Sequence, residues 1–380
     1  MTMYARLAKY IPVFCLCSVL LLCLAACSGA TTTTTSDKNT TSGAANDATP
    51  NTAPRLGTQP CPVTVSDPSH WNPILSTDQG LNTVVSVTCA ELTSDSSLQA
   101  LVITRYEGTG QTADIYVLTD ITSPSPRQIF KLHGLYKGDA KISAYNTLLT
   151  AEVDQGSSIN AGQTATGYQP DLFREFKWSN SVGTLVPVSF PAIFPNLTRY
   201  EAENEQQQVN QGKQPLLSAA QVASKLAAKL LDWPPDAPTT LVSGGNQHDS
   251  NAVVMVKNAG GAIKVMLSRL EGNTNNGIWE ATSATSDGLA ITSPQNRDLL
   301  NGTTTVAGTA TGTVNKIKIL DHLYNSIGTA DANGTTPFST NISYNASFKG
   351  GAQEGLLVLY SYTNGTATGV VIFKELLNTP

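Results

Sequence analysis

The chain has 380 residues, enough for two or three domains, and charged residues make up only 13% of it. Gly, Pro, Ser, Thr and Asn take the place of the charged residues, a mixture typical of short strands and many turns that excludes a long coiled coil or a helical-repeat protein. The formal net charge of −5 excludes a broadly basic nucleic-acid binder, so we expect no nucleic-acid partner.

Residues 1–26 have the pattern of a signal peptide. Arg6 and Lys9 make its start positive, and an apolar run follows over residues 11–24. The run leads into a Leu-Ala-Ala-Cys sequence that ends at Cys27 and resembles the lipobox of bacterial lipoproteins. The resemblance implies that Cys27 is lipidated and anchors an extracytoplasmic protein to the bacterial cell membrane. An ordinary cleaved signal or an uncleaved anchor is the alternative.

Residues 27–59 predict a disordered linker. They are rich in Thr, Ser and Asn and have almost no large apolar side chain, so they cannot bury enough surface to offset the entropy of ordering. A flexible coil of this length spans roughly 30 Å. We expect it to lift the folded part away from the lipid head groups.

Two cysteines, Cys61 and Cys89, remain once the signal peptide and Cys27 are set aside. In an exported domain, two cysteines form a disulfide more often than a metal site. We therefore predict a disulfide between them, with two buried free thiols as the alternative.

Residues 60–213 predict a β-rich domain that we assign to no family. Short runs rich in Val, Ile, Thr and Tyr are bounded by Gly, Asp and Ser, as strands are. The predicted strands cover residues 83–88, 98–106, 113–118, 141–154, 172–178 and 185–190. A polar stretch over residues 200–213 predicts an exposed helix leading out of the domain.

Residues 214–288 predict a small α+β domain. Ser218 and Gln221 have the spacing of a capping box, an apolar stripe follows at helical spacing, and Pro234 marks the end of the helix. Four strands are predicted over residues 239–243, 252–257, 263–270 and 277–283. One helix covering a four-stranded antiparallel sheet is the expected packing.

Residues 289–380 show short strand-like runs separated by turn signals. The most characteristic are the sequences ITSP at 291–294, VAGTA at 306–310, IKILD at 317–321, GLLVLY at 355–360 and VVIF at 370–373. This region resembles the immunoglobulin-like domain of bacterial spore-germination and related cell-surface proteins. The resemblance implies a β-sandwich and a link to sporulation or germination. Independently, Asn364-Gly365 between two apolar runs predicts a tight type I′ hairpin, and Asn333-Gly334 a second turn.

The whole chain is thus predicted to be mainly β, with a small α+β segment and a C-terminal immunoglobulin-like β-sandwich. Because such a sandwich has its own core, we expect residues 289–380 to fold independently.

Few residues point to catalysis, and the sequence predicts no catalytic residue, no metal and no cofactor. The four histidines, His70, His133, His248 and His322, have no metal-ligand spacing and are interpreted as solvated or hydrogen-bonded turn residues. Residues 91–95 weakly resemble a calcium loop. Glu152 and Asp154 alternate on one strand and could form a glycosidase-like acid pair, but a solvated strand face is the favoured interpretation.

We therefore expect a cell-envelope lipoprotein with a non-catalytic binding or assembly role. Its partners are the membrane, through the lipid on Cys27, and a protein or the cell wall. Partner contact is predicted in the C-terminal domain, around residues 325–337 and 349–354. The alternative is an enzyme acting on envelope polysaccharide, with its site in residues 60–213.

Overall fold

The computed structural model describes residues 57–77, 81–272, 275–312, 314–332 and 336–379. Within these ranges, twenty strands and four helices make the fold mainly β, which confirms the prediction of a mainly β chain. The predicted signal peptide, the lipidation site and nearly all of the predicted linker lie outside the described residues.

Two four-stranded antiparallel sheets form the N-terminal part. The first contains, in spatial and chain order, β1 (Asn82–Ala90), β2 (Gln99–Tyr106), β3 (Ala113–Thr119) and β4 (Arg127–Leu135). The second contains, again in order, β5 (Asp139–Ile142), β6 (Leu148–Glu152), β7 (Leu172–Ser179) and β8 (Thr184–Val188). Buried side chains from both sheets, such as Ile115 and Phe176, share one core.

The strand predictions for this part are largely confirmed, with two exceptions. β4 was not predicted, because it begins with the polar residues Arg127 and Gln128 and only Ile129 of its nine residues is buried. The single strand predicted over residues 141–154 is wrong, since the chain turns at Asn146, whose φ is 57°. The residues on either side of this turn belong to β5 and β6.

Two short helices, α1 (Val63–Ser66) and α2 (Pro68–Leu75), pack against β1. The predicted disulfide between Cys61 and Cys89 is present, with the two Cα atoms 5.2 Å apart. It joins the segment before α1 to the buried end of β1. By closing this loop, the disulfide restricts the unfolded chain and favours the folded state.

The third helix, α3 (Arg199–Asn210), follows a connecting segment of residues 189–198. Thr198 and Glu201 form a capping box at its start. The helix confirms the one predicted over residues 200–213, but it contacts β6 and β7 rather than leading away from the sheet. It therefore belongs to the packing of the N-terminal part.

The fourth helix, α4 (Ala219–Leu231), has the predicted capping box. The hydroxyl of Ser218 accepts a hydrogen bond from the amide of Gln221, whose side chain accepts one from the amide of Ser218. The helix ends at Asp232, which has a left-handed conformation, just before the predicted stop at Pro234. The next strands are β9 (Thr239–Gly244), β10 (Asn251–Asn258), β11 (Gly261–Ser268) and β12 (Glu280–Thr285). Buried side chains of α4 pack on these strands, as predicted, but the strands are part of a larger sheet and do not form a separate four-stranded one.

The C-terminal strands form two sheets. The three-stranded sheet contains β13 (Leu289–Ser293), β15 (Thr303–Ala310) and β18 (Phe338–Ser343). The strands β14 (Leu299–Asn301), β16 (Val314–Leu320), β17 (Ser326–Asp331), β19 (Gly351–Thr363) and β20 (Thr366–Thr379) join β9–β12 in one nine-stranded sheet. The predicted hairpin turn joins β19 to β20, and positive φ values at Asn364 and Gly365 confirm the type I′ geometry. The second predicted turn, Asn333-Gly334, lies outside the described residues.

The nine-stranded sheet runs across the predicted boundary between residues 288 and 289, because β12 pairs with β20 at Ala284 and Ile372. One face of β19, including Leu356, packs in the core under α4. The opposite face, including Leu357, packs in a second core that the three-stranded sheet shares. Both long strands are thus buried on two faces, which explains their almost continuous apolar sequence.

Candidate functional site

A cleft of about 390 Å³ opens where the N-terminal sheets meet the loop between β18 and β19. Four segments of chain that are distant in sequence line it. They are residues 132–136 at the end of β4, residues 152–156 at the end of β6, Arg174 on β7, and residues 347–350. Concave sites of this size, lined by convergent side chains, are the usual form of a ligand-binding site.

The rim of the cleft carries a histidine that a buried carboxylate orients. Nδ1 of His133 lies 2.8 Å from the carboxylate of Asp114, whose side chain is 2% exposed. The same carboxylate accepts hydrogen bonds from the amide of Gly134 and the hydroxyl of Tyr116. An ionised carboxylate can only accept hydrogen bonds, so Nδ1 carries a proton, and in the neutral imidazole Nε2 is then the acceptor left for a ligand.

The charge on Asp114 follows from its surroundings. Burial by itself would raise the pKa of Asp114, but the hydrogen bonds from Gly134, His133 and Tyr116 outweigh it and hold the pKa below its usual value. Nζ of Lys131 lies 3.7 Å from the carboxylate and offsets its charge. The ionised Asp114 therefore fixes the imidazole in one tautomer and one orientation.

An ion pair forms the floor of the cleft. Nε and Nη2 of Arg174 each donate to a different oxygen of Glu152, both at 2.8 Å, and the hydroxyl of Thr150 donates to the same carboxylate. The guanidinium carbon of Arg174 lies 4.9 Å from the ring centre of Phe176 and 5.1 Å from that of Phe348. The two charges thus satisfy each other in a buried, two-pronged pair.

The loop between β18 and β19 is held to the N-terminal part by polar contacts. The hydroxyl of Ser347 donates to the carboxylate of Asp154, and Nη1 of Arg174 donates to the carbonyl of Gly350 at 3.3 Å. A Cβ atom at Gly156 would lie 2.9 Å from the Cβ of Ser347, so this close approach requires glycine. The cleft therefore joins residues from two of the predicted domains.

Some polar groups of the cleft are left without a protein partner. Within the described part of the chain, Nε2 of His133 and the hydroxyl of Tyr136 make no hydrogen bond. Gln155 uses its carbonyl oxygen to accept from Tyr168 at 3.2 Å, which leaves its amide donors free. Nζ of Lys349 has one protein acceptor, 3.0 Å away. A ligand would therefore meet an acceptor, a hydroxyl and several donors.

The predicted acid pair, Glu152 and Asp154, lies in this cleft, but its favoured interpretation as a solvated strand face is wrong. Both residues are only 2% exposed. Glu152 is held by Arg174, and Asp154 accepts from Ser347 and from the amide of Gly156 at 3.0 Å. Carboxylates held this way build the site, whereas a catalytic acid or nucleophile needs an oxygen turned to the substrate.

The other histidines lie apart from the cleft. His70 packs edge-on against Trp71, with ring centres 5.0 Å apart. Nδ1 of His248 lies 2.7 Å from an oxygen of Asn275 on the surface. His322 is buried in a turn, and its Nδ1 lies 2.6 Å from an oxygen of Gln353, which fits the interpretation as a hydrogen-bonded turn residue rather than a solvated one.

The stretch considered as a calcium loop, residues 91–95, turns its acidic oxygens to protein donors. Asp95 accepts from the hydroxyls of Thr93 and Ser97, and Glu91 accepts from the side chain of Gln59. These hydrogen bonds lower the pKa of Asp95 to about 2. Among the residues that the structure describes, no group of three or more His, Cys, Asp or Glu side chains is placed to hold a metal ion.

The two loops predicted to contact a partner lie at two different concave places. Residues 349 and 350, from the second loop, line the cleft. Residues 329–331, from the first predicted loop, belong to strand β17 instead, and they line a separate open groove of about 590 Å³ together with Lys316, Lys318 and Tyr362.

Sequence reasoning missed the pairing of Asp114 with His133. An aspartate inside the otherwise apolar run of β3 was the available signal, because a buried carboxylate needs partners. Its partner depends on the register between β3 and β4, which shifts between Ala113 and Ile115. The periodicity of the sequence does not indicate where such a bulge lies, so the pairing could not be predicted from it.

Comparison with known proteins gives no assignment, since no family model and no curated protein matches the sequence. No helix within the described ranges is both long and apolar enough to cross a lipid bilayer. The geometry of the cleft is therefore the main evidence for a function.

Proposed function

We propose that the protein is a non-catalytic binding protein of the bacterial cell envelope. The lipobox-like sequence ending at Cys27 supports a lipid anchor outside the cytoplasm, and the composition of residues 27–59 supports a flexible tether. The anchored protein would recognise the cell wall through the cleft beside His133.

The carrying observation is that polar groups with unused hydrogen-bonding capacity are gathered in one cleft. His133 and Tyr136 come from the N-terminal part, whereas Lys349 comes from the loop between β18 and β19. The ion pair of Glu152 and Arg174 holds the floor in place before any ligand arrives. A site that is already ordered loses little entropy on binding, which favours affinity.

The size of the cleft favours a cell-wall ligand over a protein surface. A volume of about 390 Å³ suits a small group or a few sugar units. A stable protein interface buries roughly 1,200–2,000 Å² of surface, which a cleft of this size does not supply by itself. A protein partner is therefore the less favoured form of the proposal.

The alternative function, an enzyme acting on envelope polysaccharide, would use Glu152 and Asp154. A glycosidase needs one carboxyl group that delivers a proton and a second that acts as base or nucleophile. Here both carboxylates already accept hydrogen bonds from the protein, and Glu152 is bound to Arg174 through both oxygens. This arrangement favours binding over catalysis.

Residues 289–380 contribute one wall of the cleft. Their sequence also supports a more specific proposal about the biological process. Their resemblance to the immunoglobulin-like domain of spore-germination proteins supports a sandwich of that type and a role linked to sporulation or germination. The two sheets packed around one core are in keeping with such a sandwich.

The proposal is tested by sedimenting the full-length, detergent-solubilised protein with purified insoluble cell wall. We expect the wild type to sediment with the wall, and Tyr136→Ala and Phe348→Ala to remain largely in solution. Tyr362→Ala, in the separate groove, is the matched control and should sediment like the wild type. Thermal unfolding of each variant checks that the fold is kept.

Soluble reducing sugar is measured in the same samples. Release of sugar by the wild type, abolished by Asp154→Asn in a folded protein, would replace the binding proposal with the enzyme. Equal sedimentation of the cleft variants and the wild type would contradict the cleft as the binding site.

A further inference from the structure

We infer that the cleft recognises an uncharged, polyhydroxylated ligand, such as a short segment of a neutral polysaccharide. This inference rests on the proposed function and specifies the chemistry of its ligand. Three features of the cleft carry it: the balance of charges, the mixture of free hydrogen-bonding groups, and two fixed aromatic rings.

The formal charges that line the cleft cancel. The carboxylates of Glu152 and Asp154 are matched by Arg174 and Lys349. Arg174 is not available to an anion, because Glu152 occupies its two-pronged edge and aromatic rings lie near its faces. Lys349 is exposed to solvent, so a charged ligand would lose its hydration without gaining a buried counter-charge, which is costly.

The free groups match hydroxyls better than they match ions. In the neutral imidazole of His133, Nε2 is an acceptor, because Asp114 holds the proton on Nδ1. The hydroxyl of Tyr136 can donate or accept, and the amide group of Gln155 can donate. A hydroxyl donates one hydrogen bond and accepts two, so a row of hydroxyls can satisfy all three groups. A carboxylate or phosphate only accepts, and it would face the lone pair that the neutral imidazole of His133 carries on Nε2.

Two aromatic rings supply apolar faces beside these polar groups. Tyr136 is held edge-on by Tyr168, with ring centres 5.6 Å apart. Phe348 is held over the guanidinium of Arg174. Sugar rings present C–H groups on their faces and hydroxyls around their edges, so fixed rings next to hydrogen-bonding groups suit them. The amphipathic form of tyrosine serves both purposes at one position.

The test is isothermal titration calorimetry on the full-length protein in detergent, with three probes of similar size. They are the neutral tetramer of N-acetylglucosamine, the anionic tetramer of galacturonic acid, and a cationic tetralysine peptide. We expect only the neutral tetramer to bind. Its affinity should fall roughly 3- to 10-fold in His133→Ala and in Tyr136→Phe, the effect of losing one hydrogen bond.

The chain offers a matched control for each variant. His248 is an exposed histidine whose Nδ1 is also hydrogen-bonded, and Tyr362 lies in the separate groove. His248→Ala and Tyr362→Phe should bind the neutral tetramer with wild-type affinity. An equal loss in the control and cleft variants would overturn the inference.

Failure of this inference can be told apart from failure of the proposed function. Tighter, His133-dependent binding of a charged probe would overturn the ligand class but leave a binding cleft. Absence of binding by the neutral tetramer would also overturn the ligand class. Sedimentation with cell wall judges the proposed function separately, because that assay does not depend on the chosen tetramer.

Discussion

Glu375 is an ionisable residue on β20, and its side chain is fully buried. Burial, together with repulsion by Asp298, raises the pKa of Glu375 from 4.5 to about 9. The folded protein therefore keeps a proton on this carboxyl at neutral pH, whereas the unfolded chain releases it. The contribution of Glu375 to stability is fully present below pH 4.5 and is lost as the pH rises toward 9.

Replacing Glu375 by glutamine should remove this pH dependence, because the amide stays neutral. We expect Glu375→Gln to raise the free energy of unfolding at pH 8 by about 1–4 kcal/mol, with a much smaller change at pH 5. Urea unfolding at the two pH values measures both effects. Glu107→Gln, at an exposed glutamate, is the control and should change neither. An unchanged difference between pH 5 and pH 8 in Glu375→Gln would contradict the buried, protonated carboxyl.

Among the elements, α4 was predicted almost to the residue because its signals are local. The capping box, the apolar stripe and the stop signal all lie within the helix or next to it. β4 gave no comparable signal, since its position depends on pairing with β3 rather than on its own periodicity. Tertiary pairing of this kind is what single-sequence reasoning lacks.

The cap of α4 can be tested directly. Ser218→Ala removes the hydroxyl that accepts from the amide of Gln221, and we expect it to lower the free energy of unfolding by about 0.5–2 kcal/mol. Ser218→Thr keeps a capping hydroxyl and should lose much less. Equal losses in the two variants, measured by urea unfolding, would show that the cap does not stabilise the helix.

The same difference between local signals and tertiary contacts explains which parts of the cleft could be predicted from the sequence. Glu152 and Asp154 were recognised as neighbours because both lie on one stretch of chain. Arg174 and Ser347 could not be assigned to them, because those contacts join segments brought together only by the fold. The composition correctly predicted a mainly β protein, while the site required the tertiary structure.

Across the whole molecule, the buried side chains of Lys374 and Glu354 hold the connecting segment of residues 189–198 in place. Nζ of Lys374 donates to the carbonyl of Leu197 at 2.6 Å and lies 3.4 Å from Glu354. Glu354 in turn accepts a hydrogen bond from the amide of Phe190 at 2.7 Å. Glu354 on β19 and Lys374 on β20 therefore fix the connecting segment, because a buried charge without hydrogen-bonding partners would destabilise the fold.

This shared packing changes the expectation that residues 289–380 fold independently. Alone, this fragment would expose the apolar face of β19 and β20 that packs under α4, including Leu356 and Ile372. We expect the 289–380 fragment to associate or to unfold without cooperativity in size-exclusion and thermal experiments. A fragment of residues 189–380, which keeps α4 and the connecting segment, should unfold cooperatively. A monomeric, cooperative 289–380 fragment would restore the original expectation.

The central claim, that the cleft receives the cell-wall ligand, is tested most directly by hydrogen–deuterium exchange of the full-length protein with and without soluble cell-wall fragments. We expect slower amide exchange in residues 132–136 and 347–350 when the fragments are present. Residues 314–318 and 362–365, at the separate groove, should exchange at unchanged rates. Protection confined to the separate groove, or no protection at the cleft with fragments bound, would contradict the claim.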